Sequence, residues 1–338
     1  MRLLMLGGTG FVGPAVVEAA RERSWEVTVL NRGTRGVPEG VRALRGDRTA
    51  AGGLDALREG EWDVVVDAWS GAPRAVLDAA RLLAGRAGRY AYVSSVSVYG
   101  VPAPADKDEA TEVVAAAPDA PATDYAADKR GGELAAAAAF GEERALSVRA
   151  GLILGPYEDV GRLPWWLGRL ARGGPVPAPG PRELPLQYID VRDLARWTLD
   201  ALAEGLHGPY NVVSPPGHTT MGELLEACAA VTGGEAELRW AAPEAVEAAG
   251  AEPWTELPVW VPPGPLHDTL HRTDVGRAVA AGLRCRPVGE TVRDTWAWLQ
   301  GLGGRAPQRA DRSRKGLPPE KEERLLAALA GGGRGSLG

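Results

Sequence analysis

Through the first half of the chain, short apolar runs alternate with longer stretches whose apolar residues recur at helical spacing. That is the form taken by a parallel sheet covered on both faces. The runs predict strands over 2–6, 26–30, 41–44, 63–67, 90–94 and 145–153, and helices over 11–23, 72–84 and 124–140. The last of these is rich in alanine and therefore strongly helix-prone. Six strands with crossover helices give an α/β fold, a Rossmann-type doubly wound parallel sheet.

Near Pro156 the alternation stops, and the prolines at 175, 177, 179, 181 and 185 fit irregular loops better than sheet interior. Shorter pieces follow: helices over 191–203, 221–231 and 290–300, and strands near 210–213 and 237–240. The expected division is a dinucleotide-binding domain over 1–155 with returning segments near 187–215. A smaller substrate-binding lobe takes most of 156–302. A linker, a short helix over 320–329 and a disordered glycine-rich tail fill 303–338. There is no internal repeat.

Charge and composition narrow the partners. Lys+Arg 38 against Asp+Glu 44 gives a net charge of -6, which repels a phosphate backbone and argues against nucleic acid. Cys228 and Cys285 are far apart in the sequence and have no close His or Cys neighbours, so neither a disulfide framework nor a zinc site is expected. The apolar run 3–6 ends in glycines without the features of an export signal. No apolar stretch approaches the roughly 20 residues that span a bilayer. A soluble protein of the reducing cytoplasm is the expectation.

The first strand runs into GGTGFVG, Gly7 to Gly13, directly before the first helix, where a dinucleotide site requires a glycine loop. Gly7 allows a tight turn, Gly10 a close approach of backbone to pyrophosphate, and Gly13 close helix–strand packing. Thr9, Phe11 and Val12 complete the loop. A purely structural turn is the alternative. After the second strand, where an acidic residue would bind the ribose of NAD, stand Asn31 and Arg32, followed by Arg35. Losing the carboxylate and gaining guanidinium groups favours the 2′-phosphate of NADP(H), with NAD(H) as the alternative. Asp47, in RGDR after the third strand, is placed to touch adenine or simply to shape a turn. Arg48 beside it, and Asp67 and Ala68 at the end of the fourth strand, are further expected cofactor contacts.

Tyr125 and Lys129 stand four apart at the start of a predicted helix, so both project from one face. An ammonium beside a phenol eases its ionisation, and the phenol can then exchange a proton as hydride moves. With 7 Tyr and 4 Lys in 338 residues, chance supplies this spacing about 0.08 times. The run YVSSVSVYG, Tyr92 to Gly100, ends the preceding strand and offers Ser95 as the hydroxyl for the substrate oxygen, with Ser94 and Ser97 as alternatives.

On GGTGFVG, SSVSVYG, YAADK and QYIDVRDLA the chain, from Met1 to about Gln300, resembles the extended short-chain dehydrogenase/reductase superfamily, in particular its NAD-dependent epimerase/dehydratase group. The resemblance implies a Rossmann domain with a small C-terminal substrate lobe, a Ser95–Tyr125–Lys129 triad, and a homodimer formed through helices 72–84 and 124–140. It also implies that Arg149 and the segment 150–153, with Ala150 and Leu152, pass near the nicotinamide. Three departures matter. Val96 and Ser97 stand where sugar-nucleotide dehydratases carry two acidic residues. Leu186 stands where epimerases bind the substrate diphosphate with arginine, and Leu152 where they carry asparagine. Dehydration and a UDP-sugar substrate are therefore not expected, and the look is closer to atypical reductases.

For the substrate, Tyr157, Trp165, Trp166, Trp240, Trp254 and Trp260 suit an apolar cleft, Trp165 and Trp166 foremost and Ser97 with them, although large aromatics are more often core than ligand contacts. His207, His218, His267 and His271 lack an evident third ligand, and no metal is assigned. The expectation is an NADP(H)-dependent oxidoreductase acting on a carbonyl or alcohol of a small molecule in specialised metabolism. The alternatives are an epimerase that retains its cofactor and a non-catalytic NADP(H)-binding sensor or scaffold.

Overall fold

The computed structural model describes residues 1–7, 10–33 and 36–332. By its contacts the chain divides into two compact units. The first is Met1–Ile153, Val191–Ser214 and Thr273–Cys285, and the second is Leu154–Asp190, Pro215–Arg272 and Arg286–Gly338.

The first unit is built on β1 (Arg2–Leu6), β2 (Glu26–Asn31), β3 (Arg42–Arg45), β4 (Trp62–Asp67), β5 (Ala87–Ser95), β6 (Ala145–Ala150) and the strand Gly208–Val212. Every pairing is parallel, in the order Gly208–Val212, β6, β5, β4, β1, β2, β3. Leu3, Leu4, Met5 and Leu6 of β1 are all buried, as a strand covered on both faces requires. Among the covering helices are α1 (Val12–Glu22), α2 (Pro73–Leu83) and α3 (Tyr125–Phe140). The strand order reverses between β1 and β4. Their carboxyl ends therefore open the crevice in which doubly wound sheets bind ligands.

Two glycines on its buried face let helix α3 lie close against β5 and α2. A Cβ on Gly132 would lie 2.4 Å from the Tyr92 ring, and one on Gly131 would lie 2.4 Å from the Pro73 ring and 2.7 Å from the Ala117 carbonyl oxygen. Each glycine costs a helix about 1 kcal/mol relative to alanine. The close approach they permit brings Lys129 to the end of β5.

In the second unit the proline-rich stretch corrects the expectation of an irregular loop. Gly174–Pro179 is a strand paired in parallel with Ala236–Ala241. The N–H groups of Gly174 and Gly180 face the partner strand, donating to Glu235 and Ala241. Alternation then turns Pro175, Pro177 and Pro179 outward, where a two-stranded sheet has no partner and a missing N–H costs nothing. Trp166 and Trp260 are core residues of this unit, donating from their indoles to the carbonyls of Pro258 and Gly180 at 2.8 and 2.9 Å. Residues 305–318 form no helix or strand but are bonded onto the unit, through Arg309 N–H to Asp159 O and Gly316 N–H to Thr255 O. The helix Pro319–Gly332 follows, and its Glu322 receives the Arg169 guanidinium.

Candidate active site

Gly7 follows β1 with φ +91°, a conformation that glycine alone adopts freely, and a Cβ on Gly7 or Gly10 would meet nothing within 4 Å. The start of α1, at Phe11 and Val12, has no side-chain cap and no acidic residue in its first turn, while Gly13 is buried. Open space beside uncapped N–H groups fits a pyrophosphate. Thr9, expected in this loop, and Arg35, expected beyond β2, lie outside the described residues.

At the end of β2 the Asn31 side chain accepts from the Gly33 N–H at 2.7 Å, while its amide nitrogen is buried with no partner among the described residues. An orphaned donor at this position suits an oxygen of the cofactor's ribose or of a 2′-phosphate. The Arg45 side chain, a residue sequence reading overlooked, lies over Gly33, with Nε 3.1 Å from where a Cβ would stand. Asp47 accepts from the Thr49 hydroxyl and N–H at 2.7 and 3.0 Å. These bonds, aided by the Arg32 charge, hold its carboxyl below the usual range.

Arg48 and Asp67 behave differently from the expectation of cofactor contacts. Their side chains are buried and bonded to each other at 2.7 and 2.9 Å, and the Tyr90 hydroxyl and the Trp69 N–H also donate to Asp67. Ala68 is half-buried at the β4 end, its N–H on Leu6 O.

The residues expected to form the triad come from two neighbouring elements, β5 and α3. Asp124 caps α3, accepting from the N–H groups of Ala126 and Ala127, and leaves Tyr125 42 % exposed as the first helical residue. One turn later Lys129 is buried, and its ammonium lies 5.9 Å from the Tyr125 ring centroid. It donates to Val93 O at 2.7 Å and Trp69 O at 2.6 Å. Ser95 ends β5, and its hydroxyl accepts from the Ser97 N–H and donates to the Ser97 hydroxyl, both at 3.1 Å. Ser94 turns the other way and donates to Glu133 at 2.7 Å, so it is a structural partner.

Glu133, a second residue the sequence did not flag, receives Ser94, Arg130 and both prongs of Arg149. Burial disfavours the Arg149 charge, but the bonds and charge of Glu133 more than offset it. Arg149 also reaches the Tyr99 hydroxyl, which donates to Asn211. The clue in the sequence was the single carboxylate in the alanine-rich part of α3, four residues after Lys129 and so on its face. Ala150 is buried in register with Ser95, and Leu152 is buried two residues on.

Tyr157, Trp165 and Trp166, expected at the substrate, lie in the second unit. Trp166 is fully buried, so it is core and not a ligand surface. Trp165 is covered by Gly316, where a Cβ would lie 1.9 Å from the indole nitrogen. Tyr157 has φ +70° and packs edge-on against Trp298. His267 and His271 sit together on one short helix, bonded to backbone at Pro185 and Gln187. Among the described residues no group of three His, Cys, Asp or Glu is placed to hold a metal, and no helix is long and apolar enough to cross a membrane.

The chain is 37 % identical over 187 residues to a 2′-dehydrokanamycin reductase of Streptomyces kanamyceticus, a match covering 52 % of this chain and 51 % of the relative. It thus spans about half the length of that relative. A UDP-glucose 4-epimerase of Thermus thermophilus, solved with NAD, is 25 % identical, with 89 % of this chain and 99 % of that one covered and a TM-score of 0.65. DesIV, a dTDP-glucose 4,6-dehydratase from Streptomyces venezuelae solved with NAD and TYD, shares the fold at 23 % identity, 90 % and 98 % coverage and a TM-score of 0.61. The family model for NAD dependent epimerase/dehydratase matches residues 3–213, well over half of the chain. The chain belongs to the NAD-dependent epimerase/dehydratase family.

Proposed function

We propose that the protein is an NADP(H)-dependent oxidoreductase that reduces a ketone, or oxidises the matching alcohol, on a small molecule, with Ser95, Tyr125 and Lys129 as its catalytic residues. The observation that carries this reading is the buried Lys129 ammonium, fixed by two carbonyls and 5.9 Å from the ring centroid of an exposed phenol. The nicotinamide, when bound, supplies or accepts a hydride. The Ser95 hydroxyl turns from Ser97 to donate its hydrogen bond to the substrate oxygen, and Tyr125 gives that oxygen its proton. The Lys129 charge stabilises the phenolate left behind. Gly7, Gly10, Gly13 and Asn31 would hold the cofactor. Arg32 and Arg45 supply the positive charge that favours a 2′-phosphate, and the carboxylate that would oppose it is absent.

The likeness to a 2′-dehydrokanamycin reductase supports a ketone on a sugar-like ring as the substrate class. An epimerase that keeps its cofactor is the second reading, favoured by the likeness to an epimerase solved with NAD. Oxidation of NADPH by a panel of ketosugars, 2′-dehydrokanamycin included, tests the first. Tyr125→Phe is expected to lower kcat by about 10²–10⁴-fold with unfolding unchanged, and undiminished turnover would remove Tyr125 from the proton step.

A further inference from the structure

We propose that Trp69, held in place by the Arg48–Asp67 pair, is the positioning residue for the Lys129 ammonium. The proposal rests on the reading of Lys129 as a catalytic residue. Of the two carbonyls that hold Lys129, Val93 O belongs to β5 and is set by the sheet ladder. Trp69 O belongs to the turn beyond β4, which ends at Asp67, so its place depends on local side-chain chemistry.

Each backbone and side-chain hydrogen-bonding group of Trp69 is engaged. Its N–H donates to Asp67 Oδ1 at 3.0 Å, and its indole N–H donates to Ala72 O at 3.1 Å. Its carbonyl accepts from the Tyr92 hydroxyl at 3.1 Å as well as from Lys129 at 2.6 Å. The Arg48 guanidinium stands 5.1 Å from its ring centroid, and the same guanidinium binds Asp67 through two nitrogens at 2.7 and 2.9 Å. Tyr90 donates to Asp67 Oδ2, which it shares with one Arg48 nitrogen. Burial, with Asp67 close by, holds the Tyr92 phenol well above its usual range, so it remains a donor.

Fixing a lysine side chain costs rotamer entropy. An acceptor on an unsupported turn would move with the ammonium rather than hold it. Arg48 follows Asp47 after β3, so the support for the lysine begins in the loop expected to face adenine and crosses β4 to reach the triad.

The test needs neither substrate nor cofactor, so its failure is distinct from failure of the reductase reading, which turnover measures. Protein labelled with ¹⁵N-lysine shows its four ammonium groups by NMR, and Lys129→Arg assigns the signal. In Asp67→Asn and Arg48→Met, exchange of the Lys129 ammonium protons is expected to accelerate about tenfold or more, with the Lys107, Lys315 and Lys321 signals in place. Arg48→Lys restores part of the protection, because it keeps the charge but loses the two-pronged contact. If both variants fail to fold, Trp69→Phe removes the indole bond to Ala72 and is expected to accelerate exchange about threefold. An unchanged Lys129 signal in any of the three folded variants would show that Arg48 and Asp67 only buttress the core, and would overturn the proposal.

Discussion

The Arg149 guanidinium and the Glu133 carboxylate meet in two bonds, at 2.9 and 3.0 Å, inside the first unit. The pair joins β6 to α3 one turn after Lys129, and Ser94 ties it to the strand that ends in Ser95. Removing Glu133 leaves the Arg149 charge buried and uncompensated, whereas removing Arg149 leaves Glu133 still paired with the part-exposed Arg130.

Glu133→Leu is therefore expected to lower stability by about 3–5 kcal/mol, and Arg149→Met by less, because Arg130 still neutralises Glu133. The double variant Arg149→Met with Glu133→Leu should cost less than the sum of the single changes, because neither charge is stranded. Urea unfolding of the three variants checks this. Additive losses would mean that the pair contributes nothing as a pair.

Gly132→Ala sets helix propensity against packing. Alanine favours a helix by about 1 kcal/mol, but the new methyl would press on the Tyr92 ring at 2.4–2.5 Å. Overpacking of this kind costs about 1–3 kcal/mol, so the variant is expected to be less stable. Because α3 must move off β5, protection of the Lys129 ammonium should fall with it. A stabilised variant on thermal unfolding would show that the helix has room to shift.

Glu158 is fully buried and accepts from the N–H groups of Arg162 and Leu163 at the start of the helix Arg162–Leu170. Burial pushes its carboxyl from 4.5 up to about 7, against the opposing pull of Arg162. The folded state then holds a proton that the unfolded chain has already lost between these values. Stability should fall as pH rises from about 4.5 to about 7, by about 3 kcal/mol in all. Glu158→Gln should remove this component. Unfolding midpoints measured across the window in both proteins decide it, and parallel curves would contradict it.

Much of the first unit was legible from local pattern. The strand expected over 2–6 is β1, and the helix expected over 124–140 is α3 with its cap. Apolar runs and helix-prone alanines act over a few residues, so they can be read without knowing what they touch. Ser95, Tyr125 and Lys129 could be singled out as candidates because their types and spacing carry chemistry. Trp69, Arg45 and Glu133 could not, because their roles arise from partners distant in sequence: Lys129 lies 60 residues from Trp69, and Arg149 lies 16 from Glu133. The proline strand failed for another reason. Proline excludes a residue from the interior of a sheet but not from the free side of a two-stranded one, and only pairing with Ala236–Ala241 shows which side that is.

The most direct measurement is titration of the purified protein with NADPH and NADH, read by nicotinamide fluorescence, with mass spectrometry for any cofactor already bound. The account predicts empty protein that binds NADPH at least about tenfold tighter than NADH, and an Asn31→Asp variant in which that preference is lost. Protein that emerges carrying NAD⁺, indifferent to added NADPH, would contradict it and make the cofactor-retaining epimerase the better description.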